Sequence, residues 1–296
     1  MNNKSDSLRG NAAPTILQII SDNMESYSKG QRRIAAYIMV NYDRAAYMTA
    51  TRLGKVVGVS ESTVVRFANE LGFTGYPELQ EAIRTFAKRK LTSLQRITIG
   101  DERISKNDVL SAVMESDMAN LKSTLSGICA ETFDRIVARL LKARTIYIIG
   151  VRSSSSLSSF LHFYFSLMFP SVKLINTNTG EVIEQLLWTN EDDVIIGISF
   201  PRYSKRTVDA MRFASIRKAT CIAITDSEES PIAMFADEVL VAKNDITSFV
   251  DSLVAPMSII NALIVAVGRA KDEEISKTFE ELEGIWDKYD VFEKHN

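Results

Sequence analysis

The stretch Thr49-Ala-Thr-Arg-Leu-Gly-Lys-Val-Val-Gly-Val-Ser-Glu-Ser-Thr-Val-Val-Arg-Phe-Ala-Asn-Glu-Leu-Gly72 reads as two short helices joined by a tight turn. Leu53, Val56 and Val57 give the first helix an apolar face. Gly58 can take the left-handed conformation that ends a helix, and Val59 can pack between the two helices. Ser60 is a good N-cap, its hydroxyl available to the free N–H groups of the next turn. The second helix runs from about Glu61 to Leu71, where Gly72 stops it. Val64, Val65, Ala68 and Leu71 are expected to face inward. Glu61, Ser62, Thr63, Arg66 and Asn69 are then left on or near the outward surface.

Two short helices with a glycine in a tight turn follow the helix-turn-helix plan, in which the N-terminal part of the second helix enters the major groove of DNA. Ser62 and Thr63 are short enough to let that helix approach and can bond phosphates or base edges. Arg66 can reach a guanine or a phosphate. Arg52 and Lys55 on the first helix are placed for the phosphate backbone, as are Arg32 and Arg33 upstream. The candidate DNA-contacting set is thus Arg52, Lys55, Ser60, Glu61, Ser62, Thr63, Arg66 and Asn69. Charge agrees with a polyanion at the front. Residues 1–97 hold 14 Lys and Arg against 8 Asp and Glu, whereas the remainder holds 21 against 29. A small helical dimerisation or docking domain is the duller reading of the same pattern. The longer run SKGQRRIAAYIMVNYDRAAYMTATRLGKVVGVSESTVVRFANELGFTGYPEL resembles the N-terminal domain of RpiR-type transcription regulators. The resemblance covers residues from about 14 to 90 and implies a helix-turn-helix that works as a dimer on an operator of double-stranded DNA.

Around this segment the chain reads as short helices from about Pro14 to Lys90, followed by a polar stretch at 91–106 with no sustained period, expected to be a linker. Two amphipathic segments follow, at about 108–125 and 131–142. From Thr145 the pattern changes. TIYII (145–149), VKLI (172–175), DVIIGIS (193–199), TCIAIT (220–225) and EVLVA (238–242) are short, continuous apolar runs with helical segments between them. Continuous apolarity means burial on both faces, so a parallel sheet covered by helices is expected. The tail from Asp251 is helical, first apolar and then charged. The expected fold is an all-α helix-turn-helix domain at 14–90 and a linker with a connecting helix at 91–129. An α/β domain with a parallel sheet flanked by helices at 130–270 and a helical tail at 271–296 complete it.

The first and third runs each end in a hydroxyl-rich loop. After TIYII comes Gly150-Val-Arg-Ser-Ser-Ser-Ser156, then a helix expected from Leu157. A helix start after a parallel strand offers free N–H groups and the positive end of the dipole to an anion. Serine hydroxyls add donors, Arg152 adds charge, and Gly150 lets the backbone come close. After DVIIGI comes Ser199-Phe-Pro-Arg-Tyr-Ser204. Both loops would lie at the carboxyl edge of the sheet, where open α/β sheets bind ligands. Neither a P-loop nor a dinucleotide fingerprint is present, and serine clusters at helix starts are often N-caps alone. Residues from about 130 to 270 resemble a sugar isomerase (SIS) domain, whose members bind phosphosugars through G-x-G-x-S and S-x-S-G-x-T loops. Gly150 and Ser154 match the first loop, but Arg152 stands where its second glycine is expected. Ser199 matches the second loop and Ser204 replaces its threonine, while Pro201 and Arg202 replace serine and glycine. The resemblance implies a phosphorylated or otherwise anionic sugar held by Gly150, Arg152, Ser153, Ser154, Ser199, Arg202 and Ser204. Asp251 joins them if it accepts sugar hydroxyls rather than serving as an N-cap.

Some SIS domains are aldose–ketose isomerases, a reaction that needs a positioned base. His162 lies in an apolar helical stretch, His295 is near the C-terminus, and Glu181 and Glu184 have no evident partner. No catalytic residue is therefore expected, and the chain reads as a regulator rather than an enzyme. An isomerase or a metabolite-dependent protein-docking module is the alternative. Cys129 and Cys221 are too few for a disulfide framework or a zinc site and are expected to be buried small hydrophobes; no cofactor or metal is implied. Hydrophobic residues at 46% and charged residues at 24% fit a folded globular chain. No apolar run reaches the roughly 18 residues of a membrane span, and the N-terminus lacks the apolar core of a signal peptide. A cytoplasmic homodimer or homotetramer without membrane partners is expected.

Overall fold

Burial on both faces turns the five continuous apolar runs into five parallel strands, β1 (Ile146–Gly150), β2 (Val172–Leu174), β3 (Val194–Ile198), β4 (Thr220–Thr225) and β5 (Glu238–Val241). Their order is β2-β1-β3-β4-β5. The structure, a computed structural model, describes residues 15–103, 108–176, 181–245 and 250–293. The chain divides after Glu102 into two units.

The sheet belongs to the second unit, with α8 (Val109–Gly127), α9 (Ala130–Lys142), α10 (Ser154–Ser166), α11 (Lys205–Ile216), α12 (Val254–Ala270) and α13 (Asp272–Lys288). Alternate residues of each strand feed opposite cores, as the two-residue period requires. Ile148, Ile196 and Ile222 meet Ile136 of α9, Leu161 of α10 and Ile260 of α12 on one face. Tyr147, Ile195 and Cys221 meet Ala210, Met211 and Ala214 of α11 on the other. Buried carboxylates close the amino-terminal edge. The guanidinium of Arg144 grips fully buried Asp193 at 3.0 and 2.6 Å. Arg135 grips Glu238 at 2.9 Å through two nitrogens, with Arg139 at 3.5 Å.

The first unit is helical: α1 (Ile16–Asp22), α2 (Lys29–Val40), α3 (Tyr42–Ala45), α4 (Ala50–Val57), α5 (Glu61–Glu70), α6 (Tyr76–Lys90) and α7 (Ser93–Arg103). Ile20, Ile34, Ile38, Leu53, Val64, Phe67, Leu79 and Ile83 are fully buried in it. Ser28 and Gln31 form a reciprocal capping box at the start of α2. The Tyr76 hydroxyl and the Gln80 amide both donate to the Met48 carbonyl, at 2.7 and 2.8 Å, and so hold the turn before α4.

Several expectations are corrected. The stretch 91–106, read as a linker, contains α7. Thr92 and Gln95 exchange side-chain and backbone hydrogen bonds at its start, and buried Arg96 donates to the Lys88 carbonyl. Val56 was placed on the inner face of α4 but is half exposed, and Val65 and Leu71 are only partly buried. Cys129 is exposed rather than buried. It directly precedes α9, where its thiol donates to Glu131 at 2.8 Å and holds that carboxyl below its usual range. Cys221 is buried, and burial pushes its thiol up to about 12. The helix expected from Leu157 begins three residues earlier, at Ser154. Among the described residues no single helix is long and apolar enough to cross a membrane.

Two stability predictions follow from this packing. Ile196→Ala empties a fully buried position in the central strand β3. It is expected to cost about 2–5 kcal/mol in urea unfolding of the second unit, and a cost below about 1 kcal/mol would contradict the packing described. Hydrogen bonding to Arg135 holds the Glu238 carboxyl below the usual carboxylate range. A depressed folded-state pKa adds stability above the unfolded-state value and loses it as pH falls through the folded one. Glu238→Gln should therefore lower stability at pH 7, and the gap to the parent protein should close on acidification. A gap that stays constant with pH would refute the pairing.

Candidate DNA-contacting helix and ligand cleft

The turn between α4 and α5 is built around two glycines. Gly58 is left-handed, with φ +70°, and ends α4 by donating to the Gly54 carbonyl. A Cβ on Gly54 would lie 2.8 Å from the Val59 carbonyl oxygen, so the approach of the two helices requires its absence. Ser60 caps α5, its hydroxyl accepting from the Thr63 N–H at 3.3 Å. Its Oγ also lies 2.9 Å from Ser62 Oγ and 2.8 Å from Thr63 Oγ1. Arg33, expected at the DNA backbone, is exposed and donates to the Gly58 carbonyl at 3.1 Å, which supports the turn. Arg32 donates to the Glu25 carbonyl at 3.0 Å.

Arg52, Lys55, Ser60, Glu61, Ser62, Arg66 and Asn69 are exposed, and Thr63 is half-buried. Glu61, Ser62, Val65 and Arg66 line a shallow open concavity of about 650 Å³ on α5. Glu61 accepts from Thr51 Oγ1 at 2.7 Å, and Arg66 Nε donates to the Ser62 carbonyl one turn back at 3.3 Å. The first two turns of α5 therefore present small hydroxyls, a tethered carboxylate and one long cation to solvent.

In the second unit the reversal of strand order falls between β1 and β3, whose ends are in register at Gly150 and Ile198. The helices that follow them pack on opposite faces, which opens a crevice at the carboxyl edge. A Cβ on Gly150 would lie 2.5 Å from the Ser154 carbonyl oxygen, so only glycine lets α10 start this close to its strand. Beside it lies a cleft of about 750 Å³. It is lined by Gly150, Val151 and Arg152, by Ser155, Ser158 and Ser159 of α10, by Leu174, Ile175 and Asn176 at the end of β2, and by Arg206 of α11. The Ser155 hydroxyl donates to the Arg152 carbonyl at 2.6 Å and Ser158 to the Ser155 carbonyl at 3.0 Å, which leaves their oxygens open to further donors. Gln185 clamps the Asn176 backbone with two bonds of 2.8 Å.

Of the expected ligand residues, Gly150 and Arg152 line this cleft. Ser154 is buried beneath the turn, and Ser153 is exposed ahead of α10. Ser199 is buried, its hydroxyl accepting from the Ser204 N–H at 3.2 Å, and so closes its own loop. Arg202 and Ser204 belong to that second loop, and Asp251 precedes α12; none of the three is in the lining. Asp251 is also not the α12 N-cap, a position held by Leu253. Ser248, three residues before Asp251 and a further candidate for the same pocket, lies outside the described residues. Arg206 and Asn176 were missed: Arg206 sits within a helix start, and Asn176 follows a run whose end gave no polar signal. Arg152 and Arg202 are both left-handed, with φ +60° and +67°, at the two positions where the SIS loop pattern has glycine. Such conformations are costly for a residue with a side chain, so each loop keeps a guanidinium at a backbone position that glycine would occupy without strain. His162 is paired with Ser166 one turn along α10 and is not in the lining.

Comparison with known proteins agrees with both units. Residues 15–88 match the model of the helix-turn-helix domain of the rpiR family, and residues 139–266 match that of the SIS domain. A curated relative from Haemophilus influenzae, named as an uncharacterized HTH-type transcriptional regulator, is 27% identical over 77% of this chain and 80% of its own length. Among solved structures, the RpiR transcription factor sugar isomerase domain of Sphaerobacter thermophilus is similar at 25% identity and TM-score 0.57. It covers 60% of this chain and 98% of that one. The Vibrio vulnificus NanR protein complexed with ManNAc-6P shares the fold at 20% identity and TM-score 0.59, covering 95% of this chain and all of that one. With a helix-turn-helix of the rpiR family in front and a SIS domain behind, the chain belongs to the RpiR-type transcription regulators.

Proposed function

We propose that this protein binds an operator through α5 and that a phosphorylated or otherwise anionic sugar, held in the cleft beside Gly150, sets its operator affinity. The observation that carries the reading is the lining of the cleft. Two guanidiniums, three serine hydroxyls and an asparagine face one space, with no carboxylate among the described residues of the lining. Guanidiniums recognise phosphate and carboxylate with paired hydrogen bonds, and the first turn of α10 adds backbone donors and the positive end of a dipole. Hydroxyls and Asn176 suit the neutral remainder of a sugar. The ManNAc-6P held by NanR, a protein of the same fold, supports this class of ligand.

Binding fits the lining better than isomerisation. Moving a proton between neighbouring carbons needs a base within hydrogen-bond reach, and neither histidine nor a carboxylate is among the described lining residues. Glu181 and Glu184 are exposed. The protein then acts without a cofactor, in the cytoplasm, as a homo-oligomer whose two copies of α5 read two half-sites. Arg66 reads a base edge or a phosphate, Ser62 and Thr63 make short contacts, and Arg52 and Lys55 hold the backbone.

Two variants separate the sites. Arg66→Ala should weaken operator binding in a gel-shift titration by about 1–3 kcal/mol if it reads guanine, while unfolding is unchanged. Unaltered affinity would remove Arg66 from the contact set. Arg152→Gly relieves a left-handed side-chain position, so it should not lower thermal stability. It should nevertheless weaken at least tenfold the binding of whichever sugar phosphate stabilises the parent protein in a thermal-shift panel. Full retention of that ligand would place the anion elsewhere.

A further inference from the structure

The start of α2 gathers positive charge that nothing nearby neutralises. Lys29, Arg32 and Arg33 line one open concavity of about 580 Å³ with Tyr27, Ser28 and Ala36, and no carboxylate is in that lining. Both guanidiniums donate to backbone carbonyls, Arg32 to Glu25 and Arg33 to Gly58, which satisfies donors without cancelling charge. The capping box of α2 uses only two backbone groups. Ser28 Oγ accepts from the Gln31 N–H, and Gln31 Oε1 accepts from the Ser28 N–H at 2.9 Å. The Lys29 and Gly30 N–H groups therefore have no acceptor among the described residues. They open the first turn of a helix of 12 residues, at the positive end of its dipole.

A buried donor at the wall of the same concavity also lacks an acceptor. Tyr27 is 2% exposed, and its hydroxyl has no hydrogen-bond partner. Burial, and after it the Glu70 carboxylate, pushes that hydroxyl up to about 12, so it stays protonated. Its ring is set edge-on to Phe67 of α5, with centroids 5.2 Å apart. A buried hydroxyl left unpaired is costly, and an anionic oxygen is the acceptor this cluster wants. Position decides which anion that is. A Cβ on Gly30 would stand 3.4 Å from the Thr63 methyl and 3.5 Å from Val59. The start of α2 thus lies against the turn and the first residues of α5. A helix that enters the major groove is flanked by the phosphates of the strands it lies between.

Resting on the operator reading above, we infer that the start of α2 seats one backbone phosphate of the DNA. The Lys29 and Gly30 N–H groups, the Lys29 ammonium, the Arg32 guanidinium and the Tyr27 hydroxyl hold it. Such a contact carries no sequence information and fixes the register at which α5 meets the bases. The test is fluorescence anisotropy of the full-length protein across a salt series, on DNA from upstream of its own gene and on a scrambled duplex of equal length. Lys29→Gln combined with Arg32→Gln should weaken both duplexes several-fold and flatten the plot of log affinity against log salt by about 1, the share of one phosphate. Lys277→Gln combined with Lys288→Gln removes equal charge from exposed positions of α13 and should leave that slope unchanged. Tyr27→Phe, which removes only the hydroxyl, should weaken both duplexes alike, whereas a role in packing alone predicts no change. All variants should keep the parent's circular dichroism and its thermal shift with sugar phosphates. An unchanged slope in the α2 double variant, or an equal loss in the α13 control, would overturn the phosphate seat and leave the operator reading standing. A parent protein that binds neither duplex would overturn both.

Discussion

The rear half of this molecule depends on a space too small for a methyl group. At the end of β1 the chain turns so tightly that a Cβ on Gly150 would overlap the Ser154 carbonyl. That close approach seats the start of α10 against the end of β1, where Ser155, Ser158 and Ser159 join Gly150 in lining the cleft. The front half depends on a similar economy at Gly54, where the Val59 carbonyl occupies the room a side chain would need. In both units the start of the candidate helix is set by a close backbone approach, and its apolar face is then packed into the core.

Much of this was legible because a single physical rule governed each stretch. Continuous apolar runs have one explanation, burial on both faces, and all five became parallel strands. Gly58 and Ser60 specify opposite ends of two helices, and both do so in the structure. Legibility failed where two rules competed. Thr92 and Gln95 stand at capping-box spacing, but the weak apolar period after them reads as linker, and at the described start of α7 it is buried Arg96 that ties the helix back to the Lys88 carbonyl. Val56 satisfies the helical period and still faces solvent, since Leu53 and Val57 fill the contact between α4 and its neighbours. Cys129 is small and apolar enough for a core, yet it stands at the start of α9, where Glu131 takes its proton donor.

The candidate cleft shows the same limit more sharply. Serines at 153–156 and 199–204 look alike in sequence, but their roles divide. Some line the cleft, Ser154 supports the turn from below, and Ser199 spends its hydroxyl on its own loop. Which of these a serine does depends on the direction of a bond that only the folded turn sets. Arg206 enters the cleft from the opposite face of the sheet, through the reversal of strand order between β1 and β3, and no local motif announces it. The left-handed backbone at Arg152 and Arg202 is likewise invisible to composition. The strain is carried at two positions where glycine would relieve it, and of the two arginines Arg152 lines the cleft.

An effector changes operator affinity only by as much as its own affinity differs between the DNA-competent and incompetent arrangements, typically about 1–3 kcal/mol. The most direct measurement is therefore a fluorescence-anisotropy titration of the purified protein against DNA from upstream of its own gene, with and without a panel of sugar phosphates. The account predicts saturable, sequence-specific binding whose midpoint shifts about 5- to 150-fold with one anionic sugar and not with its neutral parent sugar. Sequence-specific binding indifferent to every anionic sugar that the protein binds would contradict it.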